Sequence, residues 1–321
     1  MKILRLIAGL ALLACGLAQA EPLRLIFAGD IMLDDGPGRV VARGEDPLAP
    51  FSDLLQDADY RIGNLETSIA TTGQAFANKI YTFRAAPAVL QVHKGRFDAF
   101  SLANNHSGDY GHAAFVETLR LLNASGLRHF GGGLNLAEAH APLWIEKKGL
   151  RIAVLGYNEF KPRRFEAGPN WPGIAWSEDS QVLADIRAAR AAGADLVIPF
   201  MHWGWEIETH SDARQRQLAH LMIDHGADMV VGSHPHVTQE AEIYRGKPIL
   251  YSLGNFVFDG FDQPEAQTGW LLRVSLDKRG VVSWDTVEAH MDEDGVPHPQ
   301  AAARTPCGTR ENKAVLSCKA L

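Results

Sequence analysis

The sequence predicts an α/β protein whose sheets mix parallel and antiparallel strands. Short apolar runs alternate with amphipathic helical segments along most of the chain, which is typical of strand–helix units. Two longer apolar runs near the C-terminus are separated by a short turn at 278–280, which predicts an antiparallel hairpin. Several apolar runs end directly in a small cluster of Asp, Glu, Asn or His residues. Because open α/β sheets bind ligands at the carboxyl ends of their strands, these clusters indicate one functional site.

Each predicted element is bounded by turn-forming or helix-ending residues. Gly126, Gly193 and Gly226 follow the last three predicted helices and are typical stop signals. The predicted helical segments are 50–56, 113–123, 182–192 and 215–225. The predicted strands are 23–28, 60–63, 97–103, 143–146, 151–156, 195–200, 228–231, 249–253, 269–276 and 281–290.

Composition restricts the class of protein. Hydrophobic residues make up 46% of the 321 residues, which is enough for a substantial core. A net charge of −7 without a basic stripe argues against nucleic acid as a partner. We expect one domain over 21–295, followed by a C-terminal tail at 296–321. Cys307 and Cys318 in that tail would most simply pair as a disulfide in an oxidising compartment.

The first twenty residues have the pattern of a secretory signal peptide. Lys2 and Arg5 precede an apolar stretch at 6–17, which is too short to span a bilayer, and an Ala-Gln-Ala sequence ends at Ala20. A retained membrane anchor and lipidation at Cys15 are the alternatives. We expect cleavage after Ala20 and a periplasmic protein.

Two histidines at one predicted strand end suggest a metal centre. His234 and His236 flank Pro235 directly after an apolar run, and a turn at the proline would aim both imidazoles at one site. Four other strand ends supply the remaining candidate ligands, which are Asp30, Glu66, Asn105 and His202. Such a mixture of carboxylate, amide and imidazole groups suits one or two divalent ions of Mn, Fe or Zn better than Ca²⁺ or Mg²⁺. Asn104 is interpreted as a turn residue.

Further side chains are predicted around this site. Lys79 and Arg84 are interpreted either as binders of phosphate or carboxylate or as a solvated pair. The long connection at 158–180 is either a substrate rim or a solvated excursion. Glu206 is a candidate hydrogen-bond acceptor that orients His202, and Asp109 has the same predicted relation to His106.

Six motifs in this order resemble the CapA family, the poly-γ-glutamate capsule-synthesis group related to the calcineurin-like metallophosphoesterases. The motifs lie at 29–32, 63–66, 104–106, 202–206, 232–236 and 252–256. The resemblance implies a four-layer αββα sandwich of two mixed sheets with a two-metal site. It also implies that Asn105 is a ligand and that His106 is a proton donor. Asn64 and Asn255, which lie within two of the motifs, are assigned to substrate binding with Lys79 and Arg84.

The chain departs from the phosphoesterase pattern at the predicted metal centre itself. Met32 stands where a histidine ligand is expected, Asn64 stands in place of a bridging aspartate, and Ser233 replaces a histidine. We therefore expect one tight site and one weak site with Glu66 bridging. The tight site would use Asn105, His202 and His234, and the weak site Asp30 and His236.

Two functions remain open at this point. One is an exported metal-dependent hydrolase that acts on a phosphoester or an anionic polymer. The other is a non-catalytic accessory protein that holds or exports a polyanion together with membrane capsule-synthesis machinery. An intact Asn105-His106 pair favours catalysis, whereas Met32 favours binding alone.

Overall fold

A computed structural model describes residues 21–161 and 163–319, so the predicted signal peptide lies outside the described residues. The strands are β1 (Leu23–Ile31), β2 (Tyr60–Leu65), β3 (Ser68–Ile69), β4 (Arg84–Ala85), β5 (Ala99–Ser101), β6 (Arg128–Phe130), β7 (Gly132–Gly133), β8 (Leu143–Lys147), β9 (Leu150–Asn158), β10 (Gly173–Ile174), β11 (Leu196–His202), β12 (Val230–Ser233), β13 (Ala241–Tyr244), β14 (Lys247–Leu250), β15 (Asn255–Val257), β16 (Thr268–Asp277), β17 (Gly280–Met291), β18 (Pro297–Pro299), β19 (Arg304–Thr309) and β20 (Leu316–Lys319).

The helices are α1 (Asp35–Ala42), α2 (Ser52–Gln56), α3 (Leu90–His93), α4 (Gly111–Ala124), α5 (Leu136–Ala139), α6 (Asp179–Ala191) and α7 (Ala213–Asp224). Short 3₁₀ turns lie at Ala49–Phe51, Pro87–Val89 and Pro264–Gln267. None of the helices in the described ranges is long and apolar enough to cross a membrane.

The large sheet has ten strands and joins a parallel half to an antiparallel half. Its order is β20-β19-β17-β16-β1-β2-β5-β6, with β15 beside β1 and β18 beside β17. Strands β1, β2, β5 and β6 run parallel, whereas β16 pairs antiparallel with β1 and forms the predicted antiparallel hairpin with β17. The carboxyl ends of β1, β2 and β5 therefore lie at one edge.

The small sheet has six strands in the order β13-β14-β12-β11-β9-β8. Its central strands β14, β12, β11 and β9 are parallel, and the outer strands β13 and β8 are antiparallel to their neighbours. The chain leaves β14 and reaches β15, which pairs with β1 of the large sheet. This connection joins the two sheets close to the carboxyl ends of their parallel strands.

Three apolar cores define four layers, as predicted. One core fills the space between the sheets, with Phe27 of β1 packed edge-on against Phe200 of β11 at 5.7 Å. A second core lies between the large sheet and α2 to α4, and a third lies between the small sheet and α6 and α7. The predicted αββα sandwich with two mixed sheets is confirmed.

The C-terminal tail is part of the large sheet. Strand β19 pairs with β17, and β20 pairs with β19, so the predicted boundary at residue 295 separates no independent unit. Cys307 and Cys318 form the predicted disulfide across the β19–β20 pair, with their Cα atoms 5.9 Å apart. The sequence did not predict these last strands because their runs are short and largely polar.

Candidate metal centre

Five predicted ligands converge between the two sheets. The large sheet supplies Asp30 at the end of β1 and Glu66 after β2, and the small sheet supplies the three histidines. Glu66, His234 and His236 form one group whose potential ligand atoms lie within 4.8 Å of one another, and Asp30, Glu66 and His202 form another. All five side chains are buried. Glu66 belongs to both groups, which fits its predicted bridging position.

The division of the histidines differs from the prediction. His202 groups with Asp30, although the sequence placed these two in different sites, and His234 groups with His236. The predicted contact between Asn105 and His202 is present, with 2.7 Å between Asn105 Oδ1 and His202 Nε2. His202 therefore contacts residues that follow β5 and groups with residues at the ends of β1 and β2, which all belong to the other sheet.

Local backbone irregularities aim the ligands. The pairing of β1 with its neighbours shifts register at Asp30, a β-bulge that redirects this side chain. His234 and His236 have φ angles of 100° and 58°, in the left-handed region that non-glycine residues seldom occupy. Such strain, about 1–3 kcal/mol per residue, usually marks a functional site. The predicted turn around Pro235 thus directs both imidazoles inward.

Asn104 organises the loop that carries Asn105 and His106. Its side-chain oxygen accepts hydrogen bonds from the backbone N–H groups of His106 (3.1 Å) and Ser107 (2.9 Å). Its amide nitrogen donates to the carbonyl of Leu65 at 2.8 Å and to Oδ1 of Asn64 at 3.0 Å. The interpretation of Asn104 as a turn residue is confirmed.

This network fixes the orientation of Asn64. Because Asn64 Oδ1 accepts from Asn104, its amide nitrogen points into the centre, 2.8 Å from Asp30 Oδ1 and 3.3 Å from Glu66 Oε2. The same nitrogen lies 3.2 Å from Nδ1 of His202. Asn64 therefore holds two carboxylates and an imidazole together by donating hydrogen bonds. Its side chain is buried, and its predicted role in substrate binding stays a prediction.

Asn255 has a comparable role on the other side. Its oxygen lies 2.9 Å from Nδ1 of His236, and its amide nitrogen donates to the carbonyl of Ala266 at 2.8 Å. The oxygen requires a proton on Nδ1, which leaves the lone pair of Nε2 directed toward Glu66, 3.8 Å away. Asn255 is also buried and orients His236, and its predicted role in substrate binding stays a prediction.

Burial shifts the pKa values of the carboxyl groups and imidazoles in this centre. Burial raises the pKa of Asp30, and burial together with the neighbouring Asp30 raises the pKa of Glu66 well above its ordinary value. Burial also lowers the pKa of His202 and His234 well below their ordinary values, with the adjacent imidazoles adding to the effect. Burial thus favours the neutral forms of both the carboxyl groups and the imidazoles. A divalent cation binds neutral imidazoles and ionised carboxylates, and its charge would offset the cost of burying those carboxylates.

The donor atoms fit such a cation. Both ring nitrogens of His234 and Oε1 of Glu66 are buried and have no hydrogen-bond partner in the described part of the chain. An unpaired buried polar atom costs free energy unless a ligand satisfies it. Carboxylate, imidazole and amide oxygen donors match Mn²⁺, Fe²⁺ or Zn²⁺ better than Ca²⁺.

His106 lies beside the ligands in a triad of its own. Its Nδ1 is 2.7 Å from Oδ2 of Asp109, the predicted contact, and its Nε2 is 3.9 Å from Oε1 of Glu66. Lys79 donates to Asp109 at 2.5 Å and to the carbonyl of Asn105 at 2.8 Å. Burial lowers the pKa of His106, opposed by Asp109. Lys79 thus reaches the site, as predicted, and braces it through Asp109.

Two predicted residues lie elsewhere. Glu206 is exposed, and across the described ranges no hydrogen bond joins it to His202, whose Nδ1 faces Asn64 and Ser233 instead. Arg84 donates to the carbonyls of Thr72 and Gly73, and its guanidinium lies 4.3 Å from the centroid of the Tyr110 ring. The predicted contact between Glu206 and His202 is therefore wrong, whereas substrate binding by Arg84 stays a prediction.

Met32 explains how the chain tolerates the missing histidine. Its side chain is fully buried with Phe83 and Phe258, and its sulfur accepts a hydrogen bond from the N–H of Asp34 at 3.1 Å. These two phenylalanines also pack against the centre, Phe83 on the ring of His106 at 4.5 Å and Phe258 on the ring of His236 at 4.8 Å. An apolar wall therefore replaces the expected ligand.

Sequence reasoning missed one further residue at the centre. The ring of Phe160 lies 4.0 Å from that of His234, centroid to centroid, and covers it. Phe160 follows Asn158, the last residue of β9, so the strand-end rule that found the ligands could also have found it.

The double-sheet α/β sandwich brings together two groups of carboxylate and imidazole side chains that share Glu66, which is a donor set suited to divalent metal ions. The chain belongs to the bacterial capsule synthesis protein PGA_cap family, whose model matches residues 24–260. The family resemblance carried by the six motifs is confirmed.

Two relatives illustrate this membership. The chain is 34% identical over 238 residues to the PGA biosynthesis protein CapA of Bacillus subtilis, covering 73% of this chain and 62% of that protein. It is 31% identical over 295 residues to the capsule biosynthesis protein CapA of Bacillus anthracis, covering 89% and 71%. The calcineurin-like phosphoesterase YfkN from Bacillus subtilis is similar with a TM-score of 0.44 and 12% identity, covering 92% and 93%.

Proposed function

We propose that this chain is a metal-dependent hydrolase of an anionic polymer or phosphoester that serves capsule or polyglutamate synthesis. The observation that carries the proposal is the buried ligand cluster, with His234 and Glu66 unsatisfied in the described structure, next to the His106–Asp109 pair. The names of the Bacillus relatives support the biological setting. The charge deficit of the cluster supports one or two divalent ions of Mn, Fe or Zn.

Different side chains of the centre have different roles in the proposed hydrolysis. Asp30, Glu66, Asn105 and the three histidines would hold the cation, which when bound supplies a Lewis acid and lowers the pKa of water. Asp109 holds Nδ1 of His106, so Nε2 is the atom that faces the ligand cluster and delivers a proton to a leaving oxygen. Phe83, Phe160 and Phe258 exclude water around the imidazoles.

The same proposal includes export. The residues at 1–20 act as a secretory signal peptide, cleavage follows Ala20, and the folded chain works in the periplasm. The disulfide between Cys307 and Cys318 supports this setting, because disulfides persist in oxidising compartments.

A non-catalytic accessory protein is the second candidate function. The apolar wall at Met32 favours it, because the first cation then has one imidazole fewer than in ordinary phosphoesterases. In that case the same site holds a polyanion for membrane synthesis machinery without breaking a bond.

Metal analysis followed by a hydrolysis screen separates the two functions. His202→Ala and His234→Ala should each lower bound transition metal at least about tenfold, because each variant removes one of few imidazole donors. The exposed His225→Ala is the matched control and should keep the wild-type content. Unchanged metal content in both site variants would contradict the shared centre.

The screen offers phosphomonoesters, phosphodiesters and γ-linked glutamate polymer with added Mn²⁺. Turnover by wild type that is lost in His234→Ala supports the hydrolase. If the protein binds metal but hydrolyses none of the three substrate classes, the result would contradict the hydrolase proposal and support the accessory function.

A further inference from the structure

A groove of about 470 Å³ lies at the edge of the sandwich opposite the metal centre. The large sheet supplies Tyr60 and Arg128, the first residues of β2 and β6, and the small sheet supplies Trp144 and Lys147 of β8 and Arg151 of β9. Because β2, β6 and β9 carry these residues at their amino-terminal ends, the groove lies away from the carboxyl ends that hold the metal ligands. We call it the edge groove.

Two hydrogen bonds connect the sheets at the edge groove. Nη1 of Arg128 donates to the carbonyl of Trp144 at 2.5 Å, and Nζ of Lys147 donates to the carbonyl of Asp59 at 2.9 Å. A backbone carbonyl accepts a hydrogen bond but does not neutralise a full positive charge. Arg128 and Lys147 are both exposed, and neither forms an ion pair with a carboxylate of the described residues. Both side chains can therefore turn toward an anion in the groove.

Two acidic side chains beside the edge groove already have cationic partners. Glu146 pairs with Arg151 at 2.9 Å, and Asp59 pairs with Lys148 at 2.7 Å. These pairs leave the two exposed cations of the groove without a counter-charge from the described chain. An excess of positive charge at this place contrasts with the net charge of −7 for the whole protein. The groove is therefore electrostatically suited to an anionic ligand.

Tyr60 adds an unsatisfied hydrogen-bond donor to the same groove. The residue is only 7% exposed, and its buried hydroxyl has no hydrogen-bond partner in the described part of the chain. Burial raises the pKa of Tyr60, opposed by the nearby charge of Arg128, so the phenol stays protonated. Asp98, the nearby carboxylate, is paired with Arg61 at 2.8 Å. A buried hydroxyl without an acceptor costs free energy that a ligand oxygen would offset.

We propose that the edge groove binds the phosphate group of a ligand between Arg128 and Lys147. A phosphate group offers at least three acceptor oxygens, so it can accept from the guanidinium, the ammonium and the Tyr60 hydroxyl together, whereas a carboxylate has two oxygens. The planar guanidinium also matches two phosphate oxygens with parallel hydrogen bonds. The bound group links β6 of the large sheet to β8 of the small sheet. This site is separate from the metal centre and does not depend on the proposed hydrolysis.

Fluorine NMR at Trp144 tests the groove directly and without turnover. Metal-stripped protein labelled with 5-fluorotryptophan is titrated with inorganic phosphate at constant ionic strength, and Trp144→Phe identifies the Trp144 resonance among those of the seven tryptophans. We expect a saturable shift of this resonance in wild type. In Arg128→Gln/Lys147→Gln the Kd for phosphate should rise about tenfold, the effect of losing two exposed charge contacts. The remaining tryptophan resonances should keep their positions, which verifies the fold of this variant.

Two further variants separate the groove from general charge effects. Arg187→Gln/Lys278→Gln removes the same charge from exposed residues outside the groove and should keep the wild-type Kd. Tyr60→Phe removes one hydroxyl without a change of charge and should raise the Kd for phosphate about threefold. An unchanged Kd in Tyr60→Phe would contradict the site with three donors. Acetate should shift the Trp144 resonance only at higher concentrations than phosphate, and tighter binding of acetate would overturn the choice of a phosphate group.

A soluble phosphate ester and a phospholipid head group offer the same chemistry, so a second measurement distinguishes them. Wild type and Arg128→Gln/Lys147→Gln are sedimented with vesicles of phosphatidylglycerol and, as a control, of phosphatidylcholine. A phosphate-dependent shift at Trp144 without binding to vesicles identifies a soluble ligand. Binding of wild type but not of the double variant to phosphatidylglycerol identifies the lipid. If phosphate and vesicles both leave the Trp144 resonance unchanged, or act equally on wild type and the double variant, the proposed site is wrong.

Discussion

His93 shows what complete burial does to one imidazole. It lies at the end of α3 against the rings of Phe97 and Phe100, and neither ring nitrogen has a partner among the described residues. Burial lowers the pKa of His93 from 6.5 to about 4, slightly opposed by Asp46. A neutral imidazole in this position packs as an aromatic ring, whereas a protonated one would be an unpaired buried charge.

The stability of the fold should therefore fall with acid through this residue. Between about pH 6.5 and pH 4 the unfolded chain binds one more proton at His93 than the folded chain, so the free energy of unfolding decreases as pH falls. The gap of 6.5 to about 4 corresponds to about 3 kcal/mol. His93→Leu should remove the share of this pH dependence that comes from His93, as measured by urea unfolding from pH 8 to pH 4. The exposed His225→Leu should keep it, and an unchanged slope in His93→Leu would contradict the assignment.

His106 is the residue on which catalysis depends most directly. His106→Ala should leave metal bound, because the imidazole lies outside both ligand groups. Turnover of an ester should fall about 10²–10⁴-fold, the usual loss for a missing general acid. Substrates with good leaving groups should lose less, because they need little protonation. Equal losses across a leaving-group series would remove His106 from this role.

The positions of single site residues were predicted correctly where one general rule of α/β folds determines them. The strand-end rule located all five buried ligands because parallel strands share an edge. It failed for Glu206, which is exposed and forms no hydrogen bond with His202 in the described ranges. The roles of Asn64 and Asn255 depend on hydrogen bonds between segments far apart in sequence, which no local pattern reports.

At the scale of elements, the end of β1 is followed by Met32, where the sequence analysis expects a histidine ligand. Met32 follows directly on this strand and packs with Phe83 and Phe258, close to the ring of His236. The cluster combines a soft thioether and aromatic rings, which stabilise the strand end without binding Mn²⁺ well.

Replacing Met32 by histidine should make the stability of this strand end depend on metal. In metal-stripped protein, Met32→His buries an unpaired imidazole among aromatic rings and should lower the free energy of unfolding by about 1–3 kcal/mol. Added Mn²⁺ should restore most of that loss of stability. The variant should also bind Mn²⁺ more tightly at the weaker of the two sites. Thermal melts with and without Mn²⁺ test this, with Met32→Leu as the control of similar volume. The same metal response in both variants would show that position 32 does not reach the centre.

Long, periodic elements were predicted from the sequence, and short ones were not. Helices α4, α6 and α7 and the β16–β17 hairpin appear within a few residues of their predicted bounds. Strand β15 has three residues, and only its pairing with β1 makes it a strand. Tertiary contacts determine such elements, so periodicity cannot identify them.

For the molecule as a whole, the tail contributes stability at a distance from the metal centre. Cys307 and Cys318 are separated by 11 residues, so their disulfide should stabilise the fold by about 2–3 kcal/mol by restricting the unfolded chain. Cys307→Ser/Cys318→Ser should lower the free energy of unfolding by that amount in urea. Metal content should not change, because β19 and β20 lie at the outer edge of the large sheet. Loss of metal in this variant would show that the tail supports the centre.

The origin of the ligands in two different sheets has a consequence for the order of folding. Each ligand group combines carboxylate from the large sheet with histidine from the small sheet. The ligands extend along the sequence from Asp30 to His236. Neither sheet alone offers either complete group of donors, so the cation proposed for this site would bind both groups only after the sheets have docked. Metal uptake during refolding would then report when the two sheets dock. A chelator should not slow the folding steps that precede docking.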